Sequence, residues 1–189
     1  MFSEKRIVIK GAGDLATGVA ARLWRSGFPV MMTEIEQPLT VRRSVSLSDA
    51  VYEGEVIVED MTARLAQGRT DILKALDDRV IPVMVDPKAE IVNEIETFAV
   101  IDAIMAKKNI GTHMDDATFV VGLGPGFTAG VDVHAIVETK RGHTLGRVLR
   151  QGSAIPNTGI PGEVKGFGSE RVIRAPAPGV LKGVLTIGT

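Results

Sequence analysis

Hydrophobic positions in the first 35 residues follow the pattern of a strand, a helix and a second strand. The apolar run RIVIK at 6–10 predicts a short buried strand. Apolar residues then recur with helical spacing over 14–26, and Gly27 ends that run. The segment FPVMMTE at 28–34 predicts the next strand, which closes on an acidic residue. We therefore predict a βαβ unit with parallel strands and a right-handed crossover.

The same two patterns alternate through the middle of the chain. Helical spacing predicts helices over 46–54 and 70–79, and apolar runs predict strands over 55–61, 80–87, 98–106 and 117–127. Alternation of strands and helices favours an α/β fold, here a Rossmann-like domain built on a mostly parallel sheet.

The pattern changes after about residue 127. Residues 131–149 predict two short strands joined through KRGH, residues 152–171 are rich in loop formers, and residues 174–189 predict a strand, a turn and a strand. We predict a Rossmann-like nucleotide-binding domain over 1–127, followed by a smaller β-rich C-terminal region over 128–189.

Composition excludes several classes of function. The 189 residues carry a formal net charge of −1 and only 4% aromatic residues, so neither electrostatics nor base stacking favours a nucleic-acid partner. No segment approaches the roughly 20 apolar residues that span a bilayer, and the start does not resemble a signal peptide. The chain has no cysteine, which excludes disulfides and thiolate metal sites. We expect a cytoplasmic protein that does not bind membranes.

The glycine-rich turn GAGDLATG matches the dinucleotide-binding form G-x-G-x-x-G/A. In that form Gly11 permits the sharp turn, Gly13 admits a pyrophosphate close to the backbone, and Ala16 lets helix and strand pack closely. The following helix N-terminus offers N–H groups to phosphate. The candidate cofactor-binding residues of this turn are Gly11, Ala12, Gly13, Asp14 and Gly18.

Glu34 ends the second predicted strand at the spacing expected of a carboxylate that binds a ribose 2′-hydroxyl. It favours an NAD-type nucleotide over a 2′-phosphorylated one. Asp14 opposes phosphate binding unless it caps the helix from the side. Arg42 and Arg43 could meet a 2′-phosphate or another anion, or could form a solvated basic pair. The alternative is a strand-to-helix corner that binds no dinucleotide.

A second glycine loop, GLGPGF, follows the strand predicted over 117–127. Its candidate binding residues are Gly122, Gly124 and Gly126. Ligands of open α/β sheets collect at the carboxyl ends of strands, so we predict that both glycine loops face one crevice. The alternative is a plain turn into the C-terminal region. Lys107 and Lys108 are further candidates to neutralise a phosphate, or ordinary exposed lysines.

Two groups of polar residues lie beyond this loop. Asp132, His134 and Glu138 share strand parity, but no metal-ligand motif accompanies them and we predict no metal site. Arg141 and His143 belong to the charged turn KRGH and are the candidate catalytic residues. A polar loop with a salt bridge explains that turn equally well.

Five segments resemble the selenium-dependent molybdenum hydroxylase system proteins, distant relatives of the xanthine dehydrogenase accessory (XdhC-like) Rossmann proteins. They cover 9–28, 34–56, 102–112, 122–148 and 157–181, and the block from GLGPGF to TLGRV is the most specific. Gly11, Gly13, Gly18 and Glu34 match the nucleotide-fold motif of that family, and no catalytic residue is carried over. Members of the family are longer at the C-terminus. Residues 174–189 resemble the first half of a hammerhead module, as in biotinyl and lipoyl domains, without a matching lysine.

The resemblance implies an accessory role in making or inserting the molybdenum cofactor of a hydroxylase. Its partner would be that hydroxylase or its maturation machinery, and a homo-oligomer stays open. The cofactor would be an NAD-type nucleotide or a molybdopterin dinucleotide, because the pyrophosphate of each needs the same helix N-terminus. The alternatives are an NAD-dependent oxidoreductase, with His134 or His143 transferring protons, and a non-catalytic assembly scaffold.

Overall fold

A computed structural model describes Phe2 and residues 4–179, and in them the βαβ pattern extends into a nine-stranded sheet. Eleven strands are present in the described residues: β1 Ile7–Lys10, β2 Val30–Glu34, β3 Glu55–Val58, β4 Met61–Ala66, β5 Ile81–Val85, β6 Ala99–Asp102, β7 Phe119–Leu123, β8 Thr128–Ala129, β9 Ala135–Val137, β10 Val148–Leu149 and β11 Gly152–Ser153. The helices are α1 Asp14–Arg25, α2 Ala50–Glu53 and α3 Arg69–Asp77, and short 3₁₀ turns occupy Arg43–Val45, Leu47–Asp49, Glu90–Asn93, Met114–Asp116 and Ser169–Arg171.

The main sheet is mostly parallel, which confirms the predicted α/β class. Its order is β10-β9-β7-β6-β1-β2-β5-β4-β3, and only the edge strands β10 and β3 pair antiparallel with their neighbours. The chain builds one side of β1 first and then returns to add β6 on the other side. The carboxyl ends of β1 and β6 therefore meet where the strand order reverses, which is where open α/β sheets bind ligands.

Apolar side chains cover both faces of this sheet. Alternation along β1 sends Ile9 into a cluster shared with α1 and α2, and Val8 into a cluster shared with α3 and the turn Glu90–Asn93. In α1, buried alanines such as Ala16 and Ala20 face the sheet and allow the helix to approach it closely. The sheet is therefore buried between two layers, as expected of parallel strands.

The strand predicted over 55–61 is wrong in its extent. β3 ends at Val58, and Glu59 takes a left-handed conformation (φ 55°) that turns the chain into β4, which the sequence pattern did not predict. The two strands form an antiparallel hairpin at the sheet edge. Glu59 and Asp60 interrupt the apolar positions of this segment, and they form the turn between the two strands.

The compact units of the chain are Met1–Pro156 and Asn157–Thr189. The sequence places a boundary at 127, but β9 pairs parallel with β7 and β10 pairs with β9, so the hairpin after 127 extends the main sheet. In the second unit, a β-bridge joins Val164 and Phe167. The strands predicted over 174–189, and with them the hammerhead-like half, fall largely on residues 180–189, outside the described residues.

None of the helices in the described part of the chain is long and apolar enough to cross a membrane.

Candidate functional site

A cavity of about 410 Å³ lies at the carboxyl ends of β1, β2, β5 and β6. Its polar lining residues are Asp14, Thr33, Glu34, Thr40, Arg42 and Asp86, and its larger apolar ones are Leu15, Ile35, Leu39, Val41, Pro87, Ile104, Met105 and Ile110. Gly11, Gly13 and Ala16 supply backbone along one wall. The volume, the apolar walls and the few convergent polar groups are typical of a small-molecule site.

The two glycines at the head of the turn serve different purposes. Gly11 has φ +91°, and a Cβ there would lie 3.2 Å from the backbone of Ile104, so this glycine lets the turn pack against the end of β6. Gly13 has an ordinary φ of −66°, and a Cβ there would meet only Thr40 Oγ1, at 3.5 Å. The space beside Gly13 therefore belongs to the cavity.

The N-terminus of α1 opens beside Gly13. No side chain in the described part of the chain caps this helix. The N–H groups of its first turn therefore keep their hydrogen-bonding capacity and lie at the positive end of the helix dipole. An anion in the cavity would satisfy both.

Glu34 anchors the glycine turn. Its Oε1 accepts a hydrogen bond from the backbone N–H of Ala12 at 3.1 Å, and its Oε2 accepts one from the N–H of Ile35 at 2.7 Å. Ala12 is itself fully buried and takes part only through its backbone. A carboxylate accepts about four hydrogen bonds, so Glu34 retains capacity for a ligand hydroxyl.

Asp14 does not cap α1. The expected capping role, which would have turned its carboxylate away from a bound phosphate, is therefore not the arrangement in the structure. Its Oδ2 accepts a hydrogen bond from Arg42 Nη1 at 2.6 Å, and both residues line the cavity. The guanidinium thus offsets the carboxylate. Arg43 instead pairs with Asp49 and lies over the ring of Tyr52, outside the cavity lining.

Gly18, the last glycine of the turn motif, lies on the exposed side of α1. A Cβ there would have nothing within 4 Å, and Gly18 is not among the cavity-lining residues.

The second glycine loop lies at the same sheet edge, but protein atoms occupy the space beside its glycines, and none of the three lines the cavity. A Cβ at Gly122 would lie 2.4 Å from the ring of Phe127, and one at Gly126 would lie 2.7 Å from the backbone of Lys108. A Cβ at Gly124 would lie 2.5 Å from Thr139 Oγ1. Gly126, and Gly124 through Met105 at 3.3 Å, allow close packing against residues 103–112. That segment supplies Ile104, Met105 and Ile110 to the cavity wall.

The lysines of that segment are solvent-exposed. Lys107 takes a left-handed conformation (φ 65°), as does Met105 (φ 62°), and such backbone is uncommon for residues other than glycine. Neither Lys107 nor Lys108 is among the cavity-lining residues.

Sequence reasoning missed a buried polar network between the ends of β1 and β6. Lys10 Nζ donates to Thr112 Oγ1 at 2.6 Å and to the carbonyl of Gly111 at 3.3 Å, and the Thr112 hydroxyl donates to Asp102 Oδ2 at 2.6 Å. All three side chains belong to residues at most 3% exposed. The network fastens the end of segment 103–112 to the sheet. A lysine ending a buried apolar strand was the only signal in the sequence.

The residues weighed for a metal site bind backbone groups instead. His134 Nδ1 accepts a hydrogen bond from Val120 N–H at 3.0 Å, and Asp132 accepts one from Thr128 N–H at 2.7 Å. Among the described residues there is no group of three or more His, Asp or Glu side chains arranged to hold a metal ion.

Glu138 fastens the segment after β11 to the β9–β10 hairpin. Its two oxygens accept hydrogen bonds from the N–H groups of Ile155 and Lys140, each at 2.8 Å. Burial alone raises the pKa of Glu138, but the N–H groups of Ile155, Lys140 and Thr139 outweigh it, and the pKa lies below its ordinary value.

We expect Glu138→Gln to lower the free energy of unfolding at neutral pH, because an amide cannot accept at both positions. A carboxyl with a lowered folded pKa stabilises the protein above its unfolded pKa of about 4.5, and this contribution is lost as pH falls through the folded value. The difference between native protein and variant should therefore shrink below about pH 4.5 in urea denaturation. A constant difference down to acid pH would contradict this role. Glu96→Gln, at an exposed position, is the matched control.

Arg141 and His143 are exposed in the β9–β10 hairpin and are not among the cavity-lining residues. β9 runs parallel to β7, so their loop leaves the same sheet edge as the cavity, further along it. Their catalytic role stays a prediction.

Comparison with known proteins identifies a bacterial relative of this chain. The chain is 48% identical over 182 residues to the uncharacterized protein YqeB of Escherichia coli (strain K12). That alignment covers 96% of this chain but only 34% of YqeB, so the chain spans about a third of the length of the curated relative it matches. No family model matches the sequence. No solved structure gives a significant match either.

Proposed function

We propose that this chain is an accessory protein of a molybdenum hydroxylase system and binds a dinucleotide-type ligand on a Rossmann-like core. The observation that carries the binding proposal is the open position beside Gly13, next to an uncapped helix N-terminus and within one cavity with Glu34. A diphosphate would accept hydrogen bonds from the first turn of α1. The adjoining ribose would donate to Glu34.

The charge of the cavity supports a dinucleotide over a more highly charged ligand. Asp14, Glu34 and Asp86 line it, and among the described residues that line it Arg42 is the one cation. Arg42 offsets Asp14, which leaves two carboxylates facing the ligand. Such a lining repels a triphosphate or a 2′-phosphate and favours hydroxyl and amine donors.

The cavity residues beside Gly13 and Glu34 fit the diphosphate and ribose, which NAD and a molybdopterin dinucleotide have in common. His134 and His143, the candidate proton-transfer residues of an oxidoreductase, are outside the cavity lining. This favours a binding role over hydride transfer. The molybdenum hydroxylase assignment itself rests on the resemblance of the five sequence segments.

Titration with NAD, NADP and purified molybdenum cofactor tests the proposal. We expect NAD to bind about tenfold or more tightly than NADP, because the carboxylate of Glu34 repels a 2′-phosphate. Glu34→Gln should narrow that ratio, whereas Glu36→Gln, at an exposed position outside the cavity, should not.

Two results would count against the proposal. Tighter binding of NADP than of NAD by the native protein would show that Arg42 governs the site. Absence of binding by all of these ligands, in calorimetry or as a rise in Tm, would refute the nucleotide site.

A further inference from the structure

Asp86 is a buried carboxylate in the cavity wall with one oxygen unused. The residue is 8% exposed, and its Oδ2 accepts a hydrogen bond from Ile91 N–H at 2.9 Å. Its Oδ1 accepts none from the part of the chain that the structure describes. Among the described residues, every fully buried side-chain oxygen or nitrogen has a hydrogen-bond partner. Since Oδ1 has no such partner, it is not fully buried and keeps contact with solvent. Asp86 lines the cavity, and we take the cavity to be where that contact is made.

Strand order places Asp86 in line with the phosphate and ribose positions. β1, β2 and β5 are neighbours, about 4.8 Å apart, and they lead into Gly13, Glu34 and Asp86 respectively. Glu34 pairs in register with Val85, so Asp86 lies one residue further out on the next strand. A nucleotide whose phosphate rests at α1 and whose ribose meets Glu34 would extend its base toward Asp86.

We propose that Asp86 selects the nucleobase by accepting a hydrogen bond from an exocyclic amine. The inference rests on the proposed function, because it requires a nucleotide in this cavity. Adenine and cytosine carry such an amine, whereas hypoxanthine and uracil present a carbonyl oxygen at the same place. A carbonyl oxygen facing Asp86 Oδ1 gains no hydrogen bond and is repelled by the carboxylate, so the site discriminates between bases that have nearly the same shape.

The competing role for Asp86 is structural, since its Oδ2 accepts a hydrogen bond from the N–H of Ile91 in the turn Glu90–Asn93. Asp86→Asn separates the two roles. The amide oxygen can still accept from Ile91, while the amide nitrogen replaces Oδ1 as a donor toward the cavity. A purely structural Asp86 would leave the preference between bases unchanged.

The experiment is a titration of native protein and Asp86→Asn with NAD and with nicotinamide hypoxanthine dinucleotide. CDP and UDP form a second pair that covers a pyrimidine ligand. We expect the native protein to prefer the amine-bearing member of a pair by about tenfold or more. Asp86→Asn should abolish or reverse that preference, because its amide donates to the carbonyl. Glu90→Gln, exposed on the same turn, is the control and should keep the native preference.

Equal affinities within both pairs for the native protein would overturn the inference and leave the proposed nucleotide site standing. Failure of the native protein to bind any of the four ligands would overturn the inference about Asp86. Failure to bind purified molybdenum cofactor as well would refute the proposed function. An Asp86→Asn variant that binds with the native preference would also overturn the inference. If that variant does not fold, the preference of the native protein decides alone.

Discussion

Gly13→Val should abolish dinucleotide binding and leave the protein folded. Valine can adopt the observed φ of −66° and ψ of −178°, and its Cβ would meet only Thr40 Oγ1, at an ordinary 3.5 Å. Its methyl groups would occupy the space where a diphosphate reaches the first turn of α1. Two N–H bonds to a charged oxygen contribute about 1.5–3 kcal/mol each, so we expect a loss in affinity of about 100-fold or more.

Calorimetric titration with NAD measures this loss, and thermal denaturation confirms that the variant folds. Gly18→Val is the matched control, because Gly18 belongs to the same sequence motif but lies on the exposed side of α1 with nothing within 4 Å of a Cβ. Native-like affinity in Gly13→Val would show that the diphosphate does not bind at this turn. Equal losses in both variants would show that the helix as a whole, and not the space beside Gly13, supports binding.

Thr112→Val should cause the largest loss of stability. The Thr112 hydroxyl joins two buried charged groups, accepting from Lys10 and donating to Asp102. Valine preserves the shape but leaves Asp102 Oδ2 without this donor and Lys10 with only the longer bond to Gly111. Breaking a buried charged network by removing one partner costs about 3 kcal/mol or more. For a protein of this size, that corresponds to a fall in Tm of roughly 6–12 °C.

Urea and thermal denaturation test this expectation. Thr118→Val, at an exposed position just before β7, should change the free energy of unfolding by less than about 0.5 kcal/mol. A loss below about 1 kcal/mol in Thr112→Val would mean that water replaces the hydroxyl and that the network contributes little to holding segment 103–112.

Local sequence patterns predicted the strands and helices whose burial imposes a regular spacing of apolar residues. Apolar runs located β1, β2, β5, β6 and β7, and helical spacing located α1 and α3, because burial on both faces of a parallel sheet imposes those patterns. Glu34 was selected by its distance in sequence from Gly13, and both line one cavity in the structure. The β3–β4 turn was not predicted, since Glu59 adopts a left-handed conformation that is uncommon for glutamate.

Contacts between distant residues could not be predicted. The sequence pattern predicts Gly124 and Gly126 to be ligand-binding glycines, yet the atoms that require them to be small belong to Thr139 and Lys108. No local pattern marks Asp86, because its position beside Glu34 depends on β5 lying between β2 and β4. Strand order decides which side chains lie together at a sheet edge, and the local pattern of a single sequence does not reveal that order.

The central position of β1 has a consequence for biosynthesis. One edge of this strand can pair with β2 once Val30 has left the ribosome, but its other edge pairs with β6, so Ile7 must wait for Ala99. At about 5–20 residues per second, this edge lacks its partner for roughly 5–20 s. During that interval the apolar strand Ile7–Lys10 can be extended by a strand of another nascent chain. Aggregation during expression should therefore depend on how quickly translation reaches β6, and less on the stability of the finished fold.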